Sequence, residues 1–217
     1  MPIERKRIVK SYLIVCEGKD AESFLINYLG SESLAKDQRF SNDIQVLDFG
    51  GNDNLSNYLM NLRNMDGFDK VTSLAIIRDA EKDYDKANQE IGHSLKACGI
   101  VFPKQCGSWI QDKTGLKVGY ILFPLDNKSG TLEDLCLRIL SERDNDEILS
   151  AVDAFLDKME LCYNRRYHQK HKNRLYTYLS SSNNYVAKLI GTASKAGAFD
   201  WNSIELKPLE SFLINGF

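Results

Sequence analysis

The chain has 217 residues, 43% of them apolar and 27% charged, and a net charge of −2. That balance suits a globular chain able to bury a sizeable core, and no apolar run approaches the length of a membrane span. Wholesale coating of nucleic acid calls for a basic chain and is excluded on charge, whereas a local basic patch stays open.

Residues 1–7 are basic but lead into a strand-like run without a small-residue cleavage site, so no secretory signal is expected. Residues 8–16 are apolar and β-rich, and residues 21–29 follow with helical spacing. A second short strand is expected over 44–49, then Gly50-Gly51 and a helix over about 54–62. Residues 71–77 form a third apolar strand, followed by a helical stretch over 84–97. Further strands are expected at 100–102 and 118–123. Strands alternating with helices of this length imply crossover units and a mainly parallel sheet flanked by helices, an α/β fold.

After Gly130 the pattern is helical: 131–140, 147–161, 169–179, 185–193 and a short helix near 208–214. The expected organisation is an α/β domain over residues 1–143 and a helical portion over 144–217 packed on that core. Cys16, Cys98, Cys106, Cys136 and Cys162 are scattered, odd in number and lack a Cys-x-x-Cys spacing. Reduced thiols in a cytoplasmic protein fit this better than a disulfide frame or a zinc site.

In an open parallel sheet, ligands bind beyond the carboxyl ends of the strands, and three such points carry acids. The first strand ends Ile14-Val15-Cys16-Glu17-Gly18-Lys19-Asp20, and the third ends Ile76-Ile77-Arg78-Asp79-Ala80-Glu81-Lys82-Asp83. The strand before Pro124 leads into Asn127-Lys128-Ser129-Gly130-Thr131-Leu132-Glu133-Asp134. On one shared rim, Glu17, Asp79, Glu81 and Glu133 would converge. Crowded carboxylates repel and raise one another's pKa values, a cost that a divalent cation with oxygen ligands removes.

Each piece also has a plainer reading. Asp20 could cap a helix starting at Ala21. Asp79 and Glu81 could be first-turn acids favoured by a helix dipole. Thr131 with Asp134 approximates a capping box, which would leave Glu133 as another first-turn acid. Glu17-Gly18, by contrast, is a poor helix cap directly after an apolar strand.

Together these segments resemble the Toprim fold, whose signature is a hydrophobic strand ending in Glu-Gly and an Asp-x-Asp after a later strand. Here Val15-Cys16-Glu17-Gly18 and Asp79-Ala80-Glu81 stand in those places, and the strand at 44–49 with Gly50-Gly51 is similar to the glycine turn between them. More narrowly, Ile77-Arg78-Asp79-Ala80-Glu81, Gly130-Thr131-Leu132-Glu133-Asp134-Leu135 and residues 176–200 resemble the DUF3226 group. Those are small bacterial Toprim-like proteins related to the nuclease half of OLD-family proteins.

The resemblance implies a Rossmann-like Toprim sheet and Mg²⁺-dependent (or Mn²⁺-dependent) chemistry on phosphodiester bonds of DNA or RNA. Asp79 and Glu81 would hold the metal, Glu133 would be a further ligand, and Glu17 a ligand or the general acid/base. Two positions depart from the pattern: Glu81 stands where the family usually has Asp, and Ala21 where many nuclease-like members have an acid. One metal rather than two is therefore open. Hydrolysis by water is expected over topoisomerase or primase activity, which need gating or template-binding modules. A catalytically weak module that binds nucleic acid or partners an ABC-type ATPase in phage defence is the alternative. A small-molecule phosphohydrolase or nucleotidyl transferase on the same site also stays open. No Gly-x-x-x-x-Gly-Lys-Ser/Thr loop is present, so any ATPase would be a separate chain.

The most basic stretch holds Arg165, Arg166, Lys170, Lys172 and Arg174, interleaved with Tyr163, Tyr167 and Tyr176. It is either a phosphate-contacting surface with stacking aromatics or a solvated helix face. His168 and His171 could share a helix face as metal ligands do, yet no Cys or acid adjoins them in sequence. Surface histidines are the expectation there. The aromatics Tyr12, Tyr28, Tyr58, Phe199, Trp201 and Phe212 are expected to pack the core.

Overall fold

The apolar run Leu13-Ile14-Val15 lies in the central strand, β1 (Tyr12–Cys16). In the computed structural model, which describes residues 7–35, 43–51, 54–144 and 147–217, β1 pairs in parallel with β2 (Ile44–Asp48) and with β3 (Ser73–Asp79). β4 (Trp109–Gln111) lies antiparallel on β5 (Lys117–Phe123), which itself pairs in parallel with β3. The five-stranded order is β2-β1-β3-β5-β4. This is the α/β, mainly parallel sheet that the alternation of elements implies.

Side chains alternate across a strand, and here both faces are apolar, as they are when a parallel sheet is covered on both sides. Leu13, Val15, Leu74, Ile76, Val118 and Leu122 point into one core. That core is closed by α3 (Leu55–Leu62) and α4 (Tyr84–Ala97), through Leu55, Leu59, Leu62, Ile91 and Leu95. Ile14, Cys16, Ala75, Ile77, Ile121 and Phe123 point into the other core. There they meet α1 (Gly18–Leu29) and the C-terminal helices α5 (Leu132–Asp144), α6 (Glu147–Tyr163), α7 (Lys170–Ser180), α8 (Ile190–Lys195) and α9 (Lys207–Gly216). A short helix, α2 (Glu32–Ala35), follows α1. The second core runs without a break from Ile14 of the first strand to Leu213 of the last helix.

Specific contacts fix the C-terminal helices. Asp20 does not cap α1; its carboxylate accepts the Gly191 backbone N–H at 3.0 Å. Asn27 donates to Gly191 O and to Ser194 Oγ, at 3.2 and 2.8 Å. Only glycine allows this approach, because a Cβ on Gly191 would stand 2.5 Å from Ser23 Cβ. Arg143 donates to Ala198 O and to the Tyr178 hydroxyl. Phe199, Tyr28 and Phe212 are buried as expected, Trp201 packs edge-on against Phe24, and Tyr12 stacks on Phe217.

Several expected boundaries move. Residues 100–102 are not a strand: Ile100 is buried under α4, and Phe102 lies over Gly92 and stacks on Tyr120 at 5.4 Å. Their apolarity serves packing without a strand partner. The edge strand is instead β4, whose three residues, Trp109-Ile110-Gln111, are too few to show an alternation. The helix expected over 185–193 starts only at Ile190, because Tyr185 and Val186 donate to Ser182 O in turns and Ala187 takes φ 58°. The first strand starts at Tyr12 rather than residue 8, since Ile8 and Val9 donate to Asp66 O and Gln45 Oε1. Residues 1–6 of the basic start lie outside the described residues. No described helix is long and apolar enough to cross a membrane, and none of the five cysteines is joined in a disulfide.

The sheet edge and the chain end lock through Trp109. Its Nε1–H donates to Phe212 O at 2.9 Å and its ring stacks on Phe212 at 4.7 Å. Gly119 and Gly216 leave room for the indole; a Cβ on Gly216 would lie 1.9 Å from Trp109 Cζ2. Gly216→Ala is therefore expected to destabilise the protein by about 1–3 kcal/mol, the usual cost of overpacking, read as a lower urea midpoint. An unchanged midpoint would show that α9 is not held against the indole.

Candidate functional site

The carboxyl ends of β1, β3 and β5 form one rim, and backbone bonds beyond the strands fix its shape. Glu17 N–H donates to Ile77 O at 3.1 Å, Phe49 N–H to Cys16 O at 2.9 Å, and Ala80 N–H to Phe123 O at 3.0 Å. The chain then turns into α1 through Gly18 at φ 85°. No atom lies within 4 Å of where its Cβ would stand. Glycine is needed there for its conformation, which costs an L-residue roughly 1–2 kcal/mol.

Glu17 occupies the N-cap position of α1 but makes no side-chain cap bond. Its carboxylate turns toward β3, where it meets the Arg78 guanidinium. Arg78, only 2% exposed, places Nε 3.6 Å from Glu17 Oε2 and Nη1 3.2 Å from Glu90. The first distance makes an ion pair but not a hydrogen bond. Glu17 Oε2 and Arg78 Nε accordingly lack hydrogen-bond partners among the described residues, although both atoms are buried. Burial raises the Glu17 pKa, Arg78 opposes that rise, and Glu81 and Glu90 add to it.

Asp79 ends β3, and its Oδ1 accepts the Leu132 N–H at the start of α5, at 2.9 Å. Burial pushes its pKa well above the ordinary carboxylate range, helped by the charges of Glu17 and Glu133; the Leu132 N–H opposes the rise and Glu81 adds to it. Neither Asp79 nor Glu81 is a first-turn acid, because α4 begins at Tyr84 and Asp83 is its N-cap, accepting from Lys86 N–H at 3.0 Å. At the start of α5, Thr131 N–H and Oγ1 bond Asp134 Oδ2, as the capping-box spacing implies. Glu133 is left to lie against the rim, 8% exposed, with Lys172 Nζ at 3.4 Å.

Glu81 is exposed and adopts φ 56°, held by a pair of backbone bonds with Gly130 at 2.8 and 2.7 Å. A left-handed non-glycine residue costs of the order of 1–3 kcal/mol and persists only where its surroundings fix it. Here the bridge to Gly130 does so, tying the β3 exit to the segment that leads into α5.

Glu17, Asp79 and Glu133 thus meet electrostatically at Asp79, with Glu81 acting on both Glu17 and Asp79. They do not yet stand at ligand distances: among the described residues, no three His, Cys, Asp or Glu side chains are gathered closely enough to hold a metal ion. Two acids absent from the expected set adjoin the rim. Asp48 Oδ1 accepts Gly18 N–H at 3.0 Å and Gly50 N–H at 2.6 Å. Glu22 accepts Asp48 N–H, and Lys19 lies between the two carboxylates. The position of Asp48 before Gly50-Gly51, at the end of a strand, is the signal that marks it.

The basic stretch divides. Lys170 is held by Asp157 and Glu160 at 2.9 and 2.7 Å, Arg174 binds Asp153 through two nitrogens, and Lys172 faces Glu133. Arg165 and Arg166 are exposed. His168 is exposed and His171 partly so, yet both line a cavity of about 350 Å³ with Asp79, Glu81 and Lys172. The acids lining that cavity, Asp79, Glu81 and Asp134, come from β3, its exit and the first turn of α5, far away in sequence.

A family model matches residues 11–217: DUF3226, described as a protein of unknown function. No curated protein and no solved structure matches the chain.

A carboxyl titrates near about 3.9 in an unfolded chain, and Asp79 is raised in the folded one. The stability it contributes is complete below the unfolded value and is lost as pH rises through the folded value. Asp79→Asn keeps an acceptor for Leu132 N–H and removes the charge. Its melting temperature is expected to exceed the parent's at about pH 8, with the gain shrinking toward about pH 4. A difference that does not change with pH would contradict the charge crowding.

Proposed function

We propose that this chain, which belongs to the DUF3226 family, is a Mg²⁺- or Mn²⁺-dependent phosphodiester-cleaving or phosphotransfer enzyme acting on nucleic acid through a Toprim-like acidic rim. The observation that carries the proposal is Asp79, a partly buried carboxylate at the end of β3 that lines one cavity with Glu81 and Lys172 and whose pKa is raised by burial and by Glu17 and Glu133. Keeping like charges together at a strand end destabilises a fold unless something relieves them. An oxygen-only ligand set fits a hard divalent cation, and Glu17 Oε2 is buried without a hydrogen bond among the described residues.

Asp79 and Glu81 would hold the ion, with Glu133 as a further ligand once its carboxylate leaves Lys172. When bound, such an ion polarises a phosphoryl oxygen and lowers the pKa of bound water. Glu17, whose pKa burial raises and Arg78 opposes, would act as a ligand or as the general acid/base. Lys172 lines the same cavity as Asp79 and would meet the negative charge of a phosphate there. Arg165 and Arg166, exposed beside α7, would guide the phosphate backbone.

One observation favours a second function. Arg78 and Lys172 already stand against Glu17 and Glu133, and no three ligands stand together among the described residues. A rim balanced by the protein's own cations suits a catalytically weak module that binds nucleic acid or partners an ABC-type ATPase.

Cleavage assays on DNA and RNA with Mg²⁺ or Mn²⁺ separate the two. Glu17→Gln and Asp79→Asn are each expected to lower turnover by at least about 100-fold, the upper end of what loss of a supporting group at a metal site costs. Parent-like turnover in both variants would remove these residues from the chemistry. Metal-induced stabilisation with no turnover on any polynucleotide would leave the binding module.

A further inference from the structure

A second cleft, of about 450 Å³, opens between α4, residues 102–107 and the segment after β5. Its size is that of small-molecule sites. Tyr84 lines it together with Phe102 and Tyr120, which stack on each other at 5.4 Å, Tyr120 almost wholly buried. Its polar lining is dominated by carboxamides, those of Asn88, Gln89, Gln105 and Asn127, with Lys104 as the one ammonium among the described lining residues. No carboxylate or imidazole is among them.

The carboxamides are partly organised. The Tyr84 hydroxyl donates to Asn127 Oδ1 at 2.8 Å and also interacts with the Asn88 side chain and the Cys106 thiol. Asn88 Oδ1 is shielded from solvent and has no hydrogen-bond partner among the described residues. A shielded acceptor without a donor is costly.

We propose that this cleft takes a nucleobase. A carboxamide offers a donor and an acceptor side by side, the pattern that pairs with the edge of a heterocyclic base. An aromatic ring beside such groups, here that of Tyr84, is how unpaired bases are held in single strands. An aliphatic ligand would leave the carboxamides unpaired, and a multiply charged anion would call for more cations than Lys104. The cleft also adjoins the acidic rim. Tyr84 N–H donates to Ser129 Oγ at 3.3 Å, and the segments that carry Tyr84 and Asn127 also carry Glu81 and Gly130, which bond to each other. A strand with one base in the cleft would thus run its backbone toward Asp79.

The base could come from a polynucleotide or from a free nucleotide, and one experiment distinguishes them. The full chain, treated with chelator, is titrated against a short single strand carrying 2-aminopurine, with an abasic strand and free adenosine monophosphate as competitors. Stacking is expected to quench the fluorophore, and the abasic strand is expected to compete at least about tenfold more weakly than a base-bearing one. Gln89→Ala with Gln105→Ala, both at exposed positions, is expected to weaken binding about tenfold with an unchanged melting temperature. Competition by adenosine monophosphate would make a free nucleotide sufficient; its failure beside base-dependent strand binding would assign the polynucleotide. Equal competition by the abasic strand, parent-like binding in the double variant, or no quench would overturn the proposal. Because no divalent cation or turnover is involved, that failure would leave the metal chemistry untouched, and loss of cleavage would leave the cleft untouched.

Discussion

Parallel pairing of β1 with β3, in the register that sets Cys16 beside Ile77, is the constraint on which the site depends. Parallel strands end on the same side, so the residues that leave them, Glu17 and Asp79, share one edge of the sheet. Both faces of the sheet are buried, and the carboxyl edge is where polar groups at the strand ends can gather. The price is visible in Arg78, a guanidinium almost wholly buried at the end of β3. A buried ion pair is weak evidence for stability, and this one, at 3.6 Å, does not even satisfy the hydrogen bonding of both partners. What Arg78 does supply is a charge that opposes the rise in the Glu17 pKa.

The C-terminal helices complete what the sheet begins. α5 starts where Asp79 receives Leu132 N–H, which sets Glu133 against the rim. α7 then brings Lys172 to Glu133, and the turn before it brings His168 to the same cavity. These helices share one continuous apolar core with β1 and α1, so the far wall of the site is as firmly seated as the strand ends. The Glu81–Gly130 bridge joins the two walls at the level of the acids.

Much of this was open to inspection in the sequence, for physical reasons that also mark where it stopped. Strand ends in a parallel sheet are readable because buried strands are continuous apolar runs, and Glu17-Gly18 and Asp79 follow directly from two of them. The helix over Tyr84–Ala97 was readable to the residue because Asp83 is a good cap and Cys98-Gly99 ends the pattern. An apolar run alone does not say whether its backbone has a partner, so residues 100–102 read as a strand while three residues of β4 escaped notice. Charge is harder still. Lys170 and Arg174 are basic in sequence but are held by acids of α6 in space, and helix-to-helix pairing leaves no local signal. The histidines show the reverse, isolated in sequence yet lining one cavity with carboxylates in the fold.

Protein cations and a bound ion would both relieve the acids, and the first, Arg78 and Lys172, are already in place. Anomalous scattering from crystals soaked in Mn²⁺ distinguishes the two directly. The expected result is a peak beside the carboxylates of Asp79 and Glu81, within reach of Glu133, with Lys172 withdrawn from Glu133. No peak at the rim, with Lys172 still against Glu133 and Arg78 still against Glu17, would contradict a shared cation.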